Sequence, residues 1–272
     1  MARCPMCFRH CERAEGELGF CRARKVKGGV FVPENYGKCT SLALDPIEKK
    51  PLKLFCPGSK ILSYGSYGCN LRCPFCQNYE ISQQNLWEES REVTPEELVR
   101  LAKDLVPEGN IGIAFTYNEP MVDPEMIRDT FLRAKKEGLK TVVVTNGCAS
   151  LTALSLVLGL TDAMNIDLKG FTEDCFRYLG GDLAETKAFI AEAVRKCHVE
   201  LTTLLVPGRN DDEDAFRKEV DWIASLNPEI PLHLTRYFPR YRETAEATPK
   251  ETLLRFEAIA RGELRHVFLG NV

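Results

Sequence analysis

From about residue 60 onward, apolar runs of strand length alternate with longer stretches of helical period. The runs are "KILSYGSYG" (60–68), "IGIAFTY" (111–117), "KTVVVTN" (140–146), "AMNIDLK" (163–169), "VELTTLLV" (199–206) and "PLHLTRYF" (231–238). Several of the helices between them announce their starts. Thr94-Pro95-Glu96-Glu97 supplies an N-cap, a proline at the first helical position and a capping-box glutamate, and Thr248-Pro249-Lys250-Glu251 repeats the pattern. Asp123-Pro124 opens a helix that Gly138 closes. Six strands alternating with helices predict an α/β fold with a parallel sheet, its functional end at the C-terminal ends of the strands. A complete barrel takes eight such units. Six predict a partial, TIM-like (β/α)6 barrel over residues 59–272, open on one side. Residues 1–58 do not keep this rhythm and read as a small N-terminal cysteine-rich module.

Composition narrows the field. The chain has 272 residues, 44% hydrophobic and 28% charged, enough to bury a sizeable core. A net charge of −3 speaks against a nucleic-acid partner, which would call for a basic field. The one basic run, "RARKVKGG" (22–29), reads as a solvated loop. No apolar run approaches the roughly 20 residues that span a bilayer, and the N-terminus has no secretory signal pattern. The expectation is a cytoplasmic protein with no membrane partner. In a reducing compartment, twelve cysteines point to metal or redox chemistry before disulfides.

The densest chemistry is "CNLRCPFCQN" (69–78). Cys69, Cys73 and Cys76 follow the first strand, on a loop at the functional end. Three thiolates can hold three irons of a [4Fe–4S] cluster, most of which use four cysteines. The fourth iron then keeps a position open for a small molecule. A zinc site borrowing Cys56 or Cys148 is the alternative. Strand parity adds candidates, because alternate residues share a face. In "AMNIDLK" the polar set Asn165, Asp167 and Lys169 opposes the apolar set Met164, Ile166 and Leu168. Polar groups aimed into a barrel are costly unless paired or bound to something; an Asp167–Lys169 ion pair is the plainer reading. In the second strand Gly112, Ala114, Thr116 and Asn118 form a small-residue face with room for a ligand. His233, Thr235 and Tyr237 share a face of the sixth strand, where His233 is either a cofactor or substrate contact or a satisfied core histidine.

The C-x3-C-x-aromatic-C pattern, on the loop after strand one of an incomplete barrel, resembles the signature of radical S-adenosylmethionine enzymes. That resemblance implies a [4Fe–4S] cluster whose open iron binds S-adenosylmethionine, with Phe75 near the adenine and Asn78 beside the loop. It also implies an electron donor such as flavodoxin or ferredoxin as partner. "TYNEP" (116–120) matches the family's "GGEP" turn, with Tyr117 and Asn118 replacing the glycines and Glu119 and Pro120 kept. "VVVTNG" (142–147) resembles the activase "DTNG", with Thr145 and Asn146 as ligand contacts and Val144 in the place of the aspartate. "DLK" (167–169) resembles the element with which glycyl-radical-enzyme activases contact S-adenosylmethionine, and "PG" (207–208) a turn near adenine. Together with "DPIEKKPL", "PGS", "LTRYFPRY" and "FLGNV", the motifs resemble the AmmeMemoRadiSam-system radical S-adenosylmethionine enzymes, homologues of the pyruvate formate-lyase activating enzyme. The substrate implied is a partner protein with an activatable glycine, or a small molecule or peptide. Two departures weaken the first option. Only "YEISQQNLWEESREV" follows the cluster loop, where many activases carry a ferredoxin-like insert, and the sequence stops at "GNV", where many relatives continue into a cysteine-bearing tail. A non-catalytic iron–sulfur or zinc binding protein remains as a third reading.

In the N-terminal module, Cys4, Cys7, Cys11 and Cys21 are spaced C-x2-C-x3-C-x9-C, with His10 alongside. Such a set suits a closed structural zinc site, the first expectation, or a second iron–sulfur cluster passing electrons to the first. Metal binding can hold so small a module together. Cys39, Cys56, Cys148, Cys175 and Cys197 stand alone; Cys148 follows the third strand, a position that can face the site, and Cys175 and Cys197 are expected as packing residues.

Overall fold

A computed structural model describes all residues, 1–272. Its centre is one eight-stranded sheet. In chain order the strands are β1 (Ser41–Pro46), β2 (Lys60–Gly65), β3 (Asn110–Phe115), β4 (Lys140–Thr145), β5 (Ala163–Asp167), β6 (His198–Leu205), β7 (Leu232–Arg236) and β8 (Val267–Gly270). They lie side by side in that order, parallel throughout except that β1 runs antiparallel to β2. All six expected strands are present, and the fold is the expected α/β partial barrel. Two strands were not foreseen. β8 adds a seventh parallel member, and β1 comes from the segment assigned to the N-terminal module, so residues 41–46 belong physically to the barrel sheet.

The main helices are α1 (Pro95–Asp104), α2 (Pro124–Lys136), α3 (Leu183–Ala193), α4 (Glu213–Leu226) and α5 (Lys250–Arg261). Thr94 and Glu97 form the expected reciprocal capping box on α1, and Asp123 caps α2 by accepting from the Met126 amide. Thr248 does not cap α5. Its hydroxyl instead donates to the Leu205 carbonyl (2.6 Å) and accepts from the Tyr237 amide (3.0 Å), tying β6 to the segment after β7. No helix is long and apolar enough to cross a membrane.

Strand parity sorts the core. Outward residues such as Leu62, Ile113, Val143, Met164, Ile166 and Leu201 pack under the helices in the main apolar cluster. Inward residues build the barrel in layers. At the N-terminal ends of the strands, Ile61, Ala114, Val142 and Ala163 meet Ile47 and Leu52 from the segment after β1, which plugs the floor. Above the plug lies a polar layer. Glu200 accepts from the amides of Lys53 and Leu54 (both 2.8 Å) and lies 2.6 Å from His233 and 2.9 Å from His198. Asn165 donates to the Pro51 carbonyl (3.0 Å) and to Thr202 (2.8 Å). Only the top layer is left to line a cavity.

The N-terminal module carries a hairpin, Arg24–Lys27 with Val30–Pro33, and a small core of Ala2, Cys4, Val26 and Phe31. It docks against the C-terminal end of the sheet. Arg24, almost wholly buried, forms an ion pair with Glu125 of α2 (2.7 Å) and donates to the Val122 carbonyl (3.1 Å). Ser150, beyond β4, donates through its amide to Met6 (3.0 Å) and through its hydroxyl to Pro5 (2.6 Å).

Candidate active site

The loop from 66 to 78 leaves β2 at the functional end, and other elements pin it nearly residue by residue. Gly68 donates to Ile81 (2.9 Å), Cys69 to the Cys21 carbonyl (3.2 Å) and Arg72 to Leu179 (2.9 Å); the Pro74 carbonyl accepts from Arg242 (2.8 Å). Asn70 donates through its side chain to the Cys148 carbonyl (2.9 Å) and accepts from Asn146 (2.9 Å). The Arg72 guanidinium reaches the carbonyls of Cys69 (2.8 Å) and Leu71 (2.7 Å), while Arg9 from the module donates to the Asn70 carbonyl (2.7 Å). This network holds Cys69, Cys73 and Cys76 on one wall of a cavity of roughly 1400 Å³, its open mouth included.

Side chains from four strand ends share that cavity: Thr116, Asn118 and Glu119 beyond β3, Thr145 and Asn146 at β4, Asp167 and Lys169 at β5, and Phe75 and Asn78 from the loop itself. Among the expected cofactor contacts His233 is absent, and its place is a correction. It has the right parity but sits one layer too deep, against Glu200 in the floor. Thr235, two residues on, lines the cavity in its stead, with Thr202 and Leu204 of β6. The turn at Pro207–Gly208 lies outside the lining residues.

Glu119 is the most constrained acid. One carboxylate oxygen accepts from the Thr145 hydroxyl (2.6 Å) and the Met121 amide (3.0 Å), the other from the Asn146 amide (2.8 Å). Burial pushes its pKa up to about 7, against the lowering effect of those donors. Asp167 and Lys169 form an ion pair (2.8 Å) and yet both face the cavity, so the plain reading and the ligand reading coexist. Burial alone would lower the Lys169 ammonium pKa; Asp167 and the neighbouring Cys73 outweigh it and hold the charge. Burial raises the triad thiols, and amides offset part of that: Leu71 donates to Cys69 Sγ (3.3 Å), and Asn78 offers its N–H to Cys76. Phe75 meets Tyr237 edge-on, ring centroids 6.4 Å apart.

Position 117 explains why the matching turn favours glycine. Tyr117 has a φ of +73°, a conformation costly for a side chain with a Cβ. Its hydroxyl donates to Asp45 (2.6 Å), and the Lys50 ammonium, itself 2.8 Å from Asp45, lies over its ring. Residues of "DPIEKKPL" thus hold the turn in place, and Lys49 and Lys50 line the cavity. Sequence reasoning missed these lysines, as it missed Asn70, Arg9 and Arg72. Asn70 and Arg72 lie inside the cysteine motif, where the spacing drew attention away from the intervening residues.

The donor set fits an iron–sulfur cluster. Cys69, Cys73 and Cys76 line one cavity wall, and three thiolates can ligate three irons of a cubane cluster. Neither candidate fourth ligand reaches it. Cys148 turns its sulfur to Thr186 (2.9 Å), and Cys56 precedes β2, at the floor end of the barrel.

Comparison with known proteins agrees with this geometry. The chain is 40% identical over 277 residues to uncharacterized protein MJ0808 of Methanocaldococcus jannaschii, covering 99% of this chain and 81% of that protein. It is 27% identical over 190 residues to the pyruvate formate-lyase 1-activating enzyme of Escherichia coli K12, covering 66% of this chain and 75% of that enzyme. Its fold is similar to the crystal structure of a radical SAM methyltransferase from Sphaerobacter thermophilus. The TM-score is 0.57 at 17% identity, over 79% of this chain and 67% of that one. Residues 63–220, from β2 to within α4, match the Radical SAM superfamily profile, and with its three-thiol loop at the cavity wall this chain belongs to that superfamily.

Proposed function

We propose that the chain binds a [4Fe–4S] cluster through Cys69, Cys73 and Cys76, cleaves S-adenosylmethionine reductively, and directs the resulting radical to a small molecule or peptide. The observation that carries this is the convergence of the three thiols and the polar ends of β3, β4 and β5 on one cavity. When bound, the cluster supplies one-electron reduction of S-adenosylmethionine, whose carbon–sulfur bond breaks to give methionine and an adenosyl radical. The chain's own groups bind and orient. Glu119, fixed by Thr145 and Asn146, offers a carboxylate to an ammonium group, and Lys169, steadied by Asp167, offers a cation to a carboxylate. Phe75 gives an apolar face to a planar base. The buried walls keep bulk water from a reactive intermediate.

Two observations favour a small substrate. The N-terminal segment covers the β2 edge with β1 and seals the floor, which closes two of the routes by which a partner chain could enter. Exposed large apolar residues such as Phe238, Trp87 and Leu254 lie far apart in sequence and belong to different elements. The second reading is activation of a partner protein's glycine. The similarity to the Escherichia coli activating enzyme supports it, as does the likeness of the motifs to AmmeMemoRadiSam-system enzymes.

The test is anaerobic reconstitution with iron and sulfide, reduction by dithionite in the presence of S-adenosylmethionine, and mass spectrometry of the adenosyl products. Methionine and 5′-deoxyadenosine should appear with the intact triad and disappear in the Cys69→Ala, Cys73→Ala and Cys76→Ala variants. Methylthioadenosine would mean that a different carbon–sulfur bond breaks. No cleavage by a fully loaded, reduced protein would overturn the reading.

A further inference from the structure

The module's four cysteines form a second constellation that the cavity chemistry does not use. Cys4, Cys7, Cys11 and Cys21 ring a single small pocket, walled by apolar groups such as Met6 and Phe31 and flanked by Arg9 and Arg24. Each thiol faces at least one backbone N–H: Met6 for Cys4, Arg9 for Cys7, Phe20 for Cys11 (3.4 Å), and Ala23 and Arg24 for Cys21. Such donors favour thiolates and tune iron–sulfur clusters. His10 is exposed and takes no part in the pocket. All four thiols line this one pocket, a set that can ligate four irons. Two guanidiniums beside the pocket suit a group of net negative charge.

The pocket is also wired to the active site. The Cys21 carbonyl accepts directly from the Cys69 amide (3.2 Å), so the two cysteine sets are joined backbone to backbone by one hydrogen bond. Position 68 is glycine, with φ +88°, because a Cβ there would lie 2.5 Å from that carbonyl oxygen. Three of the module's four cysteines are partly exposed, Cys4 being buried, against only Cys76 of the triad, which puts the module nearer solvent.

We propose that Cys4, Cys7, Cys11 and Cys21 hold a second iron–sulfur cluster that relays electrons to the active site through the Cys21–Cys69 contact. One electron enters from an external low-potential one-electron carrier, which is oxidised. The same electron leaves toward the Cys69 side, so the relay site returns to its oxidised state and no bond is made or broken. The relay rests on the triad holding a cluster; the metal content of the four-cysteine pocket does not.

The deciding experiment uses the full chain with Cys69, Cys73 and Cys76 all replaced by alanine, purified and reconstituted anaerobically. About four irons and matching sulfide per chain, with a paramagnetic signal on reduction, are expected, against about eight irons in the unaltered protein. Zinc in place of iron, or no metal, overturns the proposal whatever the triad does. In Cys4→Ser/Cys7→Ser, with triad iron verified, reduction by a flavodoxin should lose its fast phase; an unchanged rate overturns the relay. If that variant fails to fold, magnetic coupling between two reduced clusters in the unaltered protein tests their proximity, and its absence counts against the proposal.

Discussion

Gly68→Ala tests whether the module is docked as tightly on the cysteine loop as the structure has it. A methyl group at φ +88° costs about 1–2 kcal/mol in backbone strain. The added Cβ would also lie 2.5 Å from the Cys21 carbonyl oxygen and 2.7 Å from the Ala23 Cβ. Neither neighbour is the free end of a flexible side chain, so relief requires moving backbone, and overpacking of this kind costs about 1–3 kcal/mol. The sum is about 2–5 kcal/mol, a fall in melting midpoint on the order of 10 °C for a chain of this size. Gly109→Ala is the control, with φ +92° and nothing within 4 Å of the built Cβ, so it carries the strain without the clash. The assay is thermal unfolding of the metal-loaded protein by circular dichroism, with tryptic cleavage in the basic run from Arg22 to Lys27 as a local readout. Gly68→Ala should melt well below Gly109→Ala and be cut faster, because the module is pushed off the loop. Equal melting of the two variants would refute the close approach of Cys21 to Cys69.

Three further outcomes follow from the site and the floor beneath it. Alanine at any one of Cys69, Cys73 or Cys76 should remove about four irons per chain by colorimetric assay while leaving far-ultraviolet circular dichroism unchanged. Because the Glu119 pKa is pushed up to about 7, a cationic amino group should find it ionised only above that pH. Affinity for S-adenosylmethionine, measured by calorimetry, should weaken about tenfold per unit below 7, level off above it, and lose the dependence in Glu119→Gln. His233→Ala should lower stability by about 1–3 kcal/mol in urea unfolding yet leave S-adenosylmethionine affinity unchanged, since it removes a floor hydrogen bond and no cavity contact.

Glu119 and Glu200 are both inward-facing acids, and their pH signatures have opposite sign. Burial raises Glu119 above its unfolded value of 4.5, so its ionisation destabilises the fold as pH rises from 4.5 toward 7. Burial would also raise Glu200, but His198, His233 and the amides of Lys53 and Leu54 outweigh it and hold the carboxylate well below its ordinary range. The stability Glu200 contributes is therefore fully present above 4.5 and is lost as pH falls below it. Strand parity had marked the β7 face that carries His233, but parity gives direction and not depth. His233 and Thr235 point the same way, and what separates them is depth along the strand: His233 reaches Glu200 in the floor, and Thr235, two residues on, lines the cavity. The cysteine loop, the "NEP" turn, "TN" and "DLK" were legible because each is a short run at a strand end, where sequence position nearly determines spatial position. β1 and β8 were not: one is a single antiparallel strand outside the strand–helix alternation, the other four residues with no helix after them. Least legible was the Cys21–Cys69 contact, since it depends on the docking of two segments 48 positions apart, and nothing local to either encodes it except the missing Cβ at Gly68.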